Sequence, residues 1–380
     1  DKARYAYEFY DTVNSLNHYA SLRGMMNFTG GNVTLENIDF KNNVLTAGKA
    51  LVYMQDTTGT YTIDNCNFIN NSNSTTDAGA SLYTIDVAKL IVSSSSFTRN
   101  SAGNGAAIYI DDYTKRTGAI EVGTGSQFVR NTARVAGGAI YHINKTNRNP
   151  VTLSVRGGID FDSNTVSGSA VGGGAIAFNS SYNENVTDHD VIYLQFDKPV
   201  APSNYINKIV DNKATNGSGG AIYAVDTDID VITNDTSYDT AYGRYNNISG
   251  NYAKLNGGVF YLNRSILNFG AVEAPGSYDN ASADTDDSMV EIYNNKSGAA
   301  GAFIYSLGAD KSGDATSHKD KVILKDLHVY TVATTSIYDG TVSSNVSETE
   351  KGLIAIGPYS DLTIGGHFHM YDTSADAQRR

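Results

Sequence analysis

Acidic side chains supply most of the residues in this sequence whose types and spacing suit chemistry. Asp111 with Asp112, Asp160 with Asp162, and the run Asp226, Asp228 and Asp230 are paired carboxylates of the kind that sugar-cleaving enzymes use as general acid and base. Asp160 and Asp162 flank Phe161 and would share one face of a strand. Asp is also a default turn residue, and no Arg or Lys recurs beside these pairs to hold an acidic sugar, so the pattern favours solvated turns. His367 and His369 stand two apart on one strand face, where two imidazoles could share a metal. No third ligand follows from spacing, which favours a surface pair. His142 falls in an inward register and reads as a packed or hydrogen-bonded residue rather than a base. Cys66 is the only cysteine, which excludes a disulfide framework and a cysteine-based zinc site; it reads as a small packing residue. The Asp-rich stretches lack the Gly-Gly-x-Gly-x-Asp calcium repeat. Each Gly-Gly step precedes a strand, which argues against a phosphate loop. The reading is a non-enzyme with no catalytic, cofactor or metal residues.

The elements that must position these groups come from a repeated phrase. An apolar residue stands three before an Asn, and a Gly-rich step and a short apolar strand follow. Phe97 to Asn100 is followed by Gly105-Ala-Ala-Ile108-Tyr109, Phe128 to Asn131 by Gly137-Gly-Ala-Ile140-Tyr141, and Phe161 to Asn164 by Gly173-Gly-Ala-Ile176-Ala177. Looser copies pair Ile209 to Asn212 with Gly219-Gly-Ala-Ile222-Tyr223 and Ile248 to Asn251 with Gly257-Gly-Val-Phe260-Tyr261. Ile292 to Asn295 with Gly301-Ala-Phe303-Ile304 is weaker, and Phe40 to Asn43 and Phe68 to Asn71 are early copies. A unit recurring at about 28 to 48 residues means an array of stacked units. The short strands are rich in Ile, Val, Tyr and Thr, with no long helical stripe. Side chains alternate along a strand, so Ile108, Ile140, Ile176, Ile222, Phe260 and Phe303 are expected to face the interior. Tyr109, Tyr141, Tyr223 and Tyr261 are expected to form an exposed ladder of rings. The expected fold is all-β, a right-handed parallel β-helix with a short N-terminal helical cap.

Asparagine plays two parts in this pattern. Asn43, Asn71, Asn100, Asn131, Asn164, Asn212 and Asn251 end the apolar-x-x-Asn phrase outside any glycosylation sequon, as expected of amides that bond one another at a corner. Sequons stand at Asn27, Asn32, Asn70, Asn73, Asn144, Asn179, Asn185, Asn216, Asn234, Asn247, Asn263, Asn280, Asn295 and Asn345, an excess over chance for this composition. Asn295 is both sequon and motif residue, and a register slip would hand the corner to Asn294. Asn144, Asn179 and Asn263 lie five or six residues after their Gly steps, which predicts one line of glycans along the solenoid.

The paired Phe-x-x-Asn and Gly-Gly-Ala-Ile motifs resemble the polymorphic outer-membrane protein repeats of chlamydial surface autotransporters and related repeats of other microbial surface proteins, over roughly Thr34 to Tyr305. The resemblance implies a right-handed β-helix displayed outside the cell, with adhesion its usual role. No C-terminal segment resembles the membrane barrel of an autotransporter.

Charge and length narrow the function classes. A net charge of −12 and a pI near 4.9 argue against a nucleic-acid surface, and no apolar run is long enough to span a membrane as a helix. Residues 1–28 read as a cap or junction segment, with Ala6, Phe9, Val13, Leu16 and Tyr19 at helical spacing; residues 29–380 read as the β-helix. Loop insertions are expected at about 179–206, 226–246 and 273–288. Beyond Tyr305 the phrase decays, although Val322-Ile-Leu, Leu353-Ile-Ala-Ile and Leu362-Thr-Ile still read as strands. A start at Asp1 and an end at Arg379-Arg380 fit a processed product. These features favour an extracellular structural glycoprotein, the protomer of a filament or matrix assembled head to tail. The alternatives are an adhesin binding cell-surface or glycan partners through its long loops and, on fold analogy alone, a glycan lyase or hydrolase.

Overall fold

The computed structural model describes residues 24–371 except 112, 114, 116, 146–148, 159, 169–170, 181–188, 197–206, 234–246, 272–289, 309–319, 326, 331–333, 337–339, 343–344, 349–351, 359 and 366–367. Residues 1–23 of the expected N-terminal cap and the insertion expected at 273–288 lie outside the described residues, whereas residues 24–28, expected in the cap, belong to a coil strand, Gly24–Thr29, paired in parallel with Ala50–Asp64. Within them every regular element is a strand, and parallel strands stack coil on coil into a β-helix. Thr334–Ser336 and Gly340–Val342 pair antiparallel in a separate two-stranded sheet.

Three sheets run the length of the solenoid, of eighteen, ten and nine strands. The largest has two files. One file begins after each Gly-rich step, with Ile108–Ile110, Ile140–Asn144 and Ile176–Ser180 in register. The other follows it in each coil, with Gly118–Val122, Val151–Val155, Asp190–Phe196 and Thr227–Thr233. The early strands Ala50–Asp64 and Leu82–Ser93 are long enough to run through both. The ten-stranded sheet carries the apolar anchors, and the rings of Phe40, Phe68, Phe97, Phe128 and Phe161 stack at 4.6, 4.8, 5.1 and 4.8 Å. Ile209, Ile248, Ile292 and Val329 continue that column. The short strands of the nine-stranded sheet return the chain from the Asn corner to the next Gly step.

Local chemistry sets the corners. The residue before the motif Asn is left-handed in coil after coil, with φ between 53° and 59° at Asn42, Asn70, Arg99, Arg130, Ser163, Asp211 and Asn294. Gly137 has φ +57, and a Cβ there would lie 2.1 Å from the Ile140 carbonyl oxygen. A Cβ on Gly138 would lie 2.0 Å from the carbonyl oxygen of Gly174 in the next coil, so the coils stack backbone to backbone at this step.

The structure departs from the sequence expectations in three places. Ile304, not Phe303, continues the Ile108–Ile140–Ile176–Ile222–Phe260 column, because Gly301 takes the left-handed corner three residues before Ile304 as Gly137 does before Ile140. The tyrosine column is not open to solvent along its length. Tyr53, Tyr83, Tyr109 and Tyr141 are buried in a second apolar cluster with Ala50, Ala136 and Ala177, flanked by Val135 and Val171 from the links before the Gly steps. Tyr223, Tyr261 and Tyr305 are half-buried. The stretches 179–206 and 226–246 are not wholly insertions. Asp190–Phe196 and Thr227–Thr233 are coil strands whose alternating Ile192, Leu194, Phe196, Ile229 and Val231 are fully buried.

Candidate functional site

The motif asparagines form one continuous polar column inside the corner. Asn100 donates from Nδ2 to Asn131 Oδ1 at 3.0 Å and to the Phe68 carbonyl at 2.9 Å, and its backbone N–H donates to the same Asn131 oxygen at 3.0 Å. The pattern repeats from Asn43 through Asn71, Asn131, Asn164, Asn212 and Asn251. It runs on to Asn295 and Asn345, which receive the amides of Asn251 and Asn295 at 2.9 Å. Within the run each side chain gives two hydrogen bonds and accepts two, which satisfies a buried carboxamide.

This geometry corrects part of the glycan assignment. Asn73, Asn144 and Asn295 are at most 1% exposed and Asn345 is 8% exposed, so the folded coil has no room for a sugar at these four. Asn294 takes the left-handed corner while Asn295 stays in the ladder, so there is no register slip. Asn27, Asn32, Asn70 and Asn216 are exposed, and Asn179, Asn247 and Asn263 are half-exposed. Asn185, Asn234 and Asn280 lie outside the described residues. Asn179 and Asn263 share a column with Val225 between them, whereas Asn144 sits one residue further on, opposite Ser180 and facing inward. The three sequons expected on one line therefore do not share one register position, Asn144 being displaced from the column of Asn179 and Asn263.

Each carboxylate pair has its own local partner. Lys208 of the next coil reaches both Asp160 Oδ1 at 3.4 Å and Asp162 Oδ2 at 2.8 Å, a cation that spacing alone did not place beside them. Burial pushes the Asp160 carboxyl up to about 6 against the pull of Lys208. For Asp162 the same burial is outweighed by Lys208 and Ser163, which hold it below the usual range. Asp226 accepts both Nε and Nη2 of Arg264, at 2.6 and 2.7 Å. Asp228 faces His189 at 3.6 Å, and that pairing with a carboxylate raises the imidazole despite its burial. Asp230 is raised by burial. Asp111 accepts the Tyr83 hydroxyl and Asp77 accepts that of Tyr109 at 2.7 Å, while Asp112 lies outside the described residues.

Inside the solenoid, His142 Nε2 lies 3.1 Å from Asp190 Oδ2 and its Nδ1 lies 3.1 Å from the Ile110 carbonyl. Ser180 donates to the same carboxylate, and the Val151 N–H donates to its other oxygen at 2.6 Å. Burial alone would raise Asp190, but His142, Ser180 and Val151 together lower it. Ser, His and Asp thus meet, but the serine bonds the carboxylate rather than the imidazole, and His142 is wholly buried. That geometry lacks the nucleophile–base contact of a hydrolytic triad and suits a structural tie. Asp320 repeats the tie, accepting Ser306 Oγ at 2.7 Å and the Gly308 and Ser265 N–H groups at 2.8 and 2.7 Å. Cys66 is buried in the core with Sγ 3.4 Å from the Leu35 carbonyl.

Among the described residues no group of three or more His, Cys, Asp or Glu side chains converges as metal ligands. His367 and the side chain of His369 lie outside them. Strand register nevertheless brings Glu291, His328 and His369 to successive positions of one column, which loops of unequal length concealed in the sequence. The coil holding Ser360–Ile364 and Phe368–Tyr371 differs from the others in its exposure. Leu362, Ile364 and Met370 are 41%, 49% and 47% exposed, whereas their register partners Val322, Leu324 and Val329 are wholly buried.

Fold and surface together define a parallel β-helical repeat protein with a buried amide ladder and one uncovered coil face among the described residues. No protein-family model, curated protein or solved structure matches the chain.

Proposed function

We propose that this chain is a non-enzymatic structural glycoprotein of the extracellular surface, the rod-shaped protomer of a filament or matrix assembled head to tail. A place among proteins like the polymorphic outer-membrane family is part of the proposal. The observation that carries it is the exposure of Leu362, Ile364 and Met370 in columns that are closed in the preceding coil. A coil open on one side presents apolar side chains and unpaired strand backbone, which recruit another coil or an amphipathic cover. The proposed occupant is the 1–23 segment of a second copy, in which Ala6, Phe9, Val13, Leu16 and Tyr19 fall at helical spacing. Contacts between unlike ends do not close on themselves, so they propagate as a filament. The exposed sequons at Asn27, Asn32, Asn70 and Asn216 would carry sugars that discourage lateral association.

Light scattering and electron microscopy of the full chain test the assembly. The expected result is mass that grows with concentration, with Leu362→Lys/Ile364→Lys and deletion of residues 1–23 each leaving folded monomers. A monodisperse wild-type chain at high concentration overturns the filament and returns the adhesin reading. Intact mass of the native protein tests the sugars, and bare peptide overturns the glycoprotein part.

A further inference from the structure

We propose that the outer face of the nine-stranded sheet binds a linear anionic polysaccharide, whose acidic groups meet a strip of arginines and lysines. The middle column of this face is Ser101, Thr132, Thr165, Lys213, Tyr252 and Lys296, paired rung by rung. These residues point outward, because the next position along each strand, as at Ala133, Val166, Ala214 and Ala253, is wholly buried. On one side of the column, Arg99 and Arg130 occupy successive left-handed corners just before the ladder asparagines, and both are exposed. On the other side stand Arg134 and Lys254, each one residue past a buried alanine. From the coil of Arg99 to that of Lys296 the strip covers six rungs, a length of about 24 Å.

Charge sets this face apart from the rest of the chain. The chain as a whole carries −12. Among its described residues the strip nevertheless displays six cations, Arg99, Arg130, Arg134, Lys213, Lys254 and Lys296, against two carboxylates, Asp211 and Glu348. None of the six makes an ion pair among the described residues. Arg134 donates from Nη2 to the carbonyls of Asn73 and Thr75, at 3.1 and 3.0 Å, which fixes its place and leaves its charge unmatched. Arg99 and Arg130 leave backbones about 4.8 Å apart, so their like charges favour an anion that meets both. Ser101, Thr132 and Thr165 add hydroxyls between the cations, and Tyr252 adds a ring against which a sugar can pack. The rung spacing is close to the advance of one sugar unit in an extended polysaccharide. A strip this narrow meets a single chain rather than a membrane surface, and its one aromatic ring is no platform for successive bases. Binding along the side leaves both ends of the rod free, so this inference stands independently of head-to-tail assembly.

The test uses the full chain made in a bacterial host that adds no N-glycans, because the exposed sequons Asn70 and Asn216 border the strip. Immobilised heparin and polygalacturonate are the probes, with uncharged dextran, single-stranded DNA and phosphatidylserine vesicles as comparisons. Saturable binding to at least one acidic polysaccharide is expected, weakening by about 10-fold or more from low to high salt, with none to dextran. Arg99→Ser with Arg130→Ser puts on two rungs what Ser163 already supplies at the next corner, and is expected to weaken binding by about 10-fold or more. Lys89→Ser with Arg156→Ser removes the same charge from the largest sheet and its edge, and is expected to leave binding near wild type. Acetylation of the wild-type chain needs no variant. Bound polysaccharide should protect Lys213, Lys254 and Lys296 and leave Lys89 as reactive as in the free chain. Absence of saturable binding to both polysaccharides below about 1 mM overturns the proposal. So do equal losses in the two double variants, tighter binding to DNA or vesicles, or protection of lysines elsewhere in place of these three.

Discussion

Asn131 shows what a single side chain contributes to this fold. Its Oδ1 accepts both the backbone N–H and the Nδ2 of Asn100, and its own Nδ2 satisfies the Phe97 carbonyl and Asn164. Asn131→Ala strands several buried groups at once and is expected to cost on the order of 2–4 kcal/mol. Asn216→Ala removes one exposed bond to the Ser167 carbonyl and is expected to change stability by less than about 0.5 kcal/mol. Denaturant titration of the two variants checks the contrast, and equal midpoints would refute the ladder's role. The two carboxylates around Phe161 make a second residue-scale prediction. The folded value of Asp160 lies above the ordinary carboxylate range, so the folded chain binds more protons than the unfolded one between about pH 4 and pH 6. Its contribution therefore declines as pH rises through that window. Asp162 is lowered, so its contribution is present above the ordinary value and is lost as pH falls through its folded value. Asp160→Asn should raise Tm at pH 7 and converge with wild type at pH 4, whereas Asp162→Asn should lower Tm at pH 7. Tm offsets independent of pH would contradict this assignment.

At the scale of elements, the Gly step and the interior tie decide how strands meet. Gly138→Ala drives a methyl group against the backbone of the next coil and is expected to cost about 2–3 kcal/mol, measurable as a lower Tm. Asp190→Ala leaves His142 and Ser180 facing apolar core and is expected to cost about 3–5 kcal/mol. Replacing the pair together, His142→Leu with Asp190→Leu, should recover most of that loss in a double-mutant cycle. Much of this scale was legible beforehand. The Phe-x-x-Asn phrase located the anchor strands and ladder corners because identical local sterics recur in each coil. What the phrase left hidden depends on neighbours distant in sequence. The cover over Tyr83 and Tyr109 comes from links whose lengths vary, so a row of tyrosines that alternation sends outward is nevertheless buried. Asp190–Phe196 was legible as a strand by its own alternation, but the prolines after it drew the whole stretch into one expected loop. Glu291, His328 and His369 are far apart in sequence and become neighbours only once pairing is known.

For the whole molecule, stacking means that each coil is held by its two neighbours and little else. Coils near Phe97, Phe128 and Phe161 have closed columns on both sides, while the coil of Ser360–Ile364 has a described partner on one side only. Hydrogen exchange should therefore be graded, with amides of Ser360–Ile364 exchanging well before those of Gln127–Val129 in the isolated chain. If the chain assembles as proposed, the gradient should flatten with rising concentration as the open coil is covered. Uniform exchange at every concentration would mean that the solenoid opens as a single unit.

The amide ladder also separates contour from reach. Successive ladder residues are 28, 29, 31, 33, 48, 39, 44 and 50 positions apart in the chain. Each step nevertheless advances the axis by the same strand spacing, about 4.8 Å. A coil of 50 residues carries the molecule no further than one of 28. The asparagines act as the graduations of a ruler. Extra sequence placed between two marks adds nothing to the length of the rod, and only a new mark makes it longer.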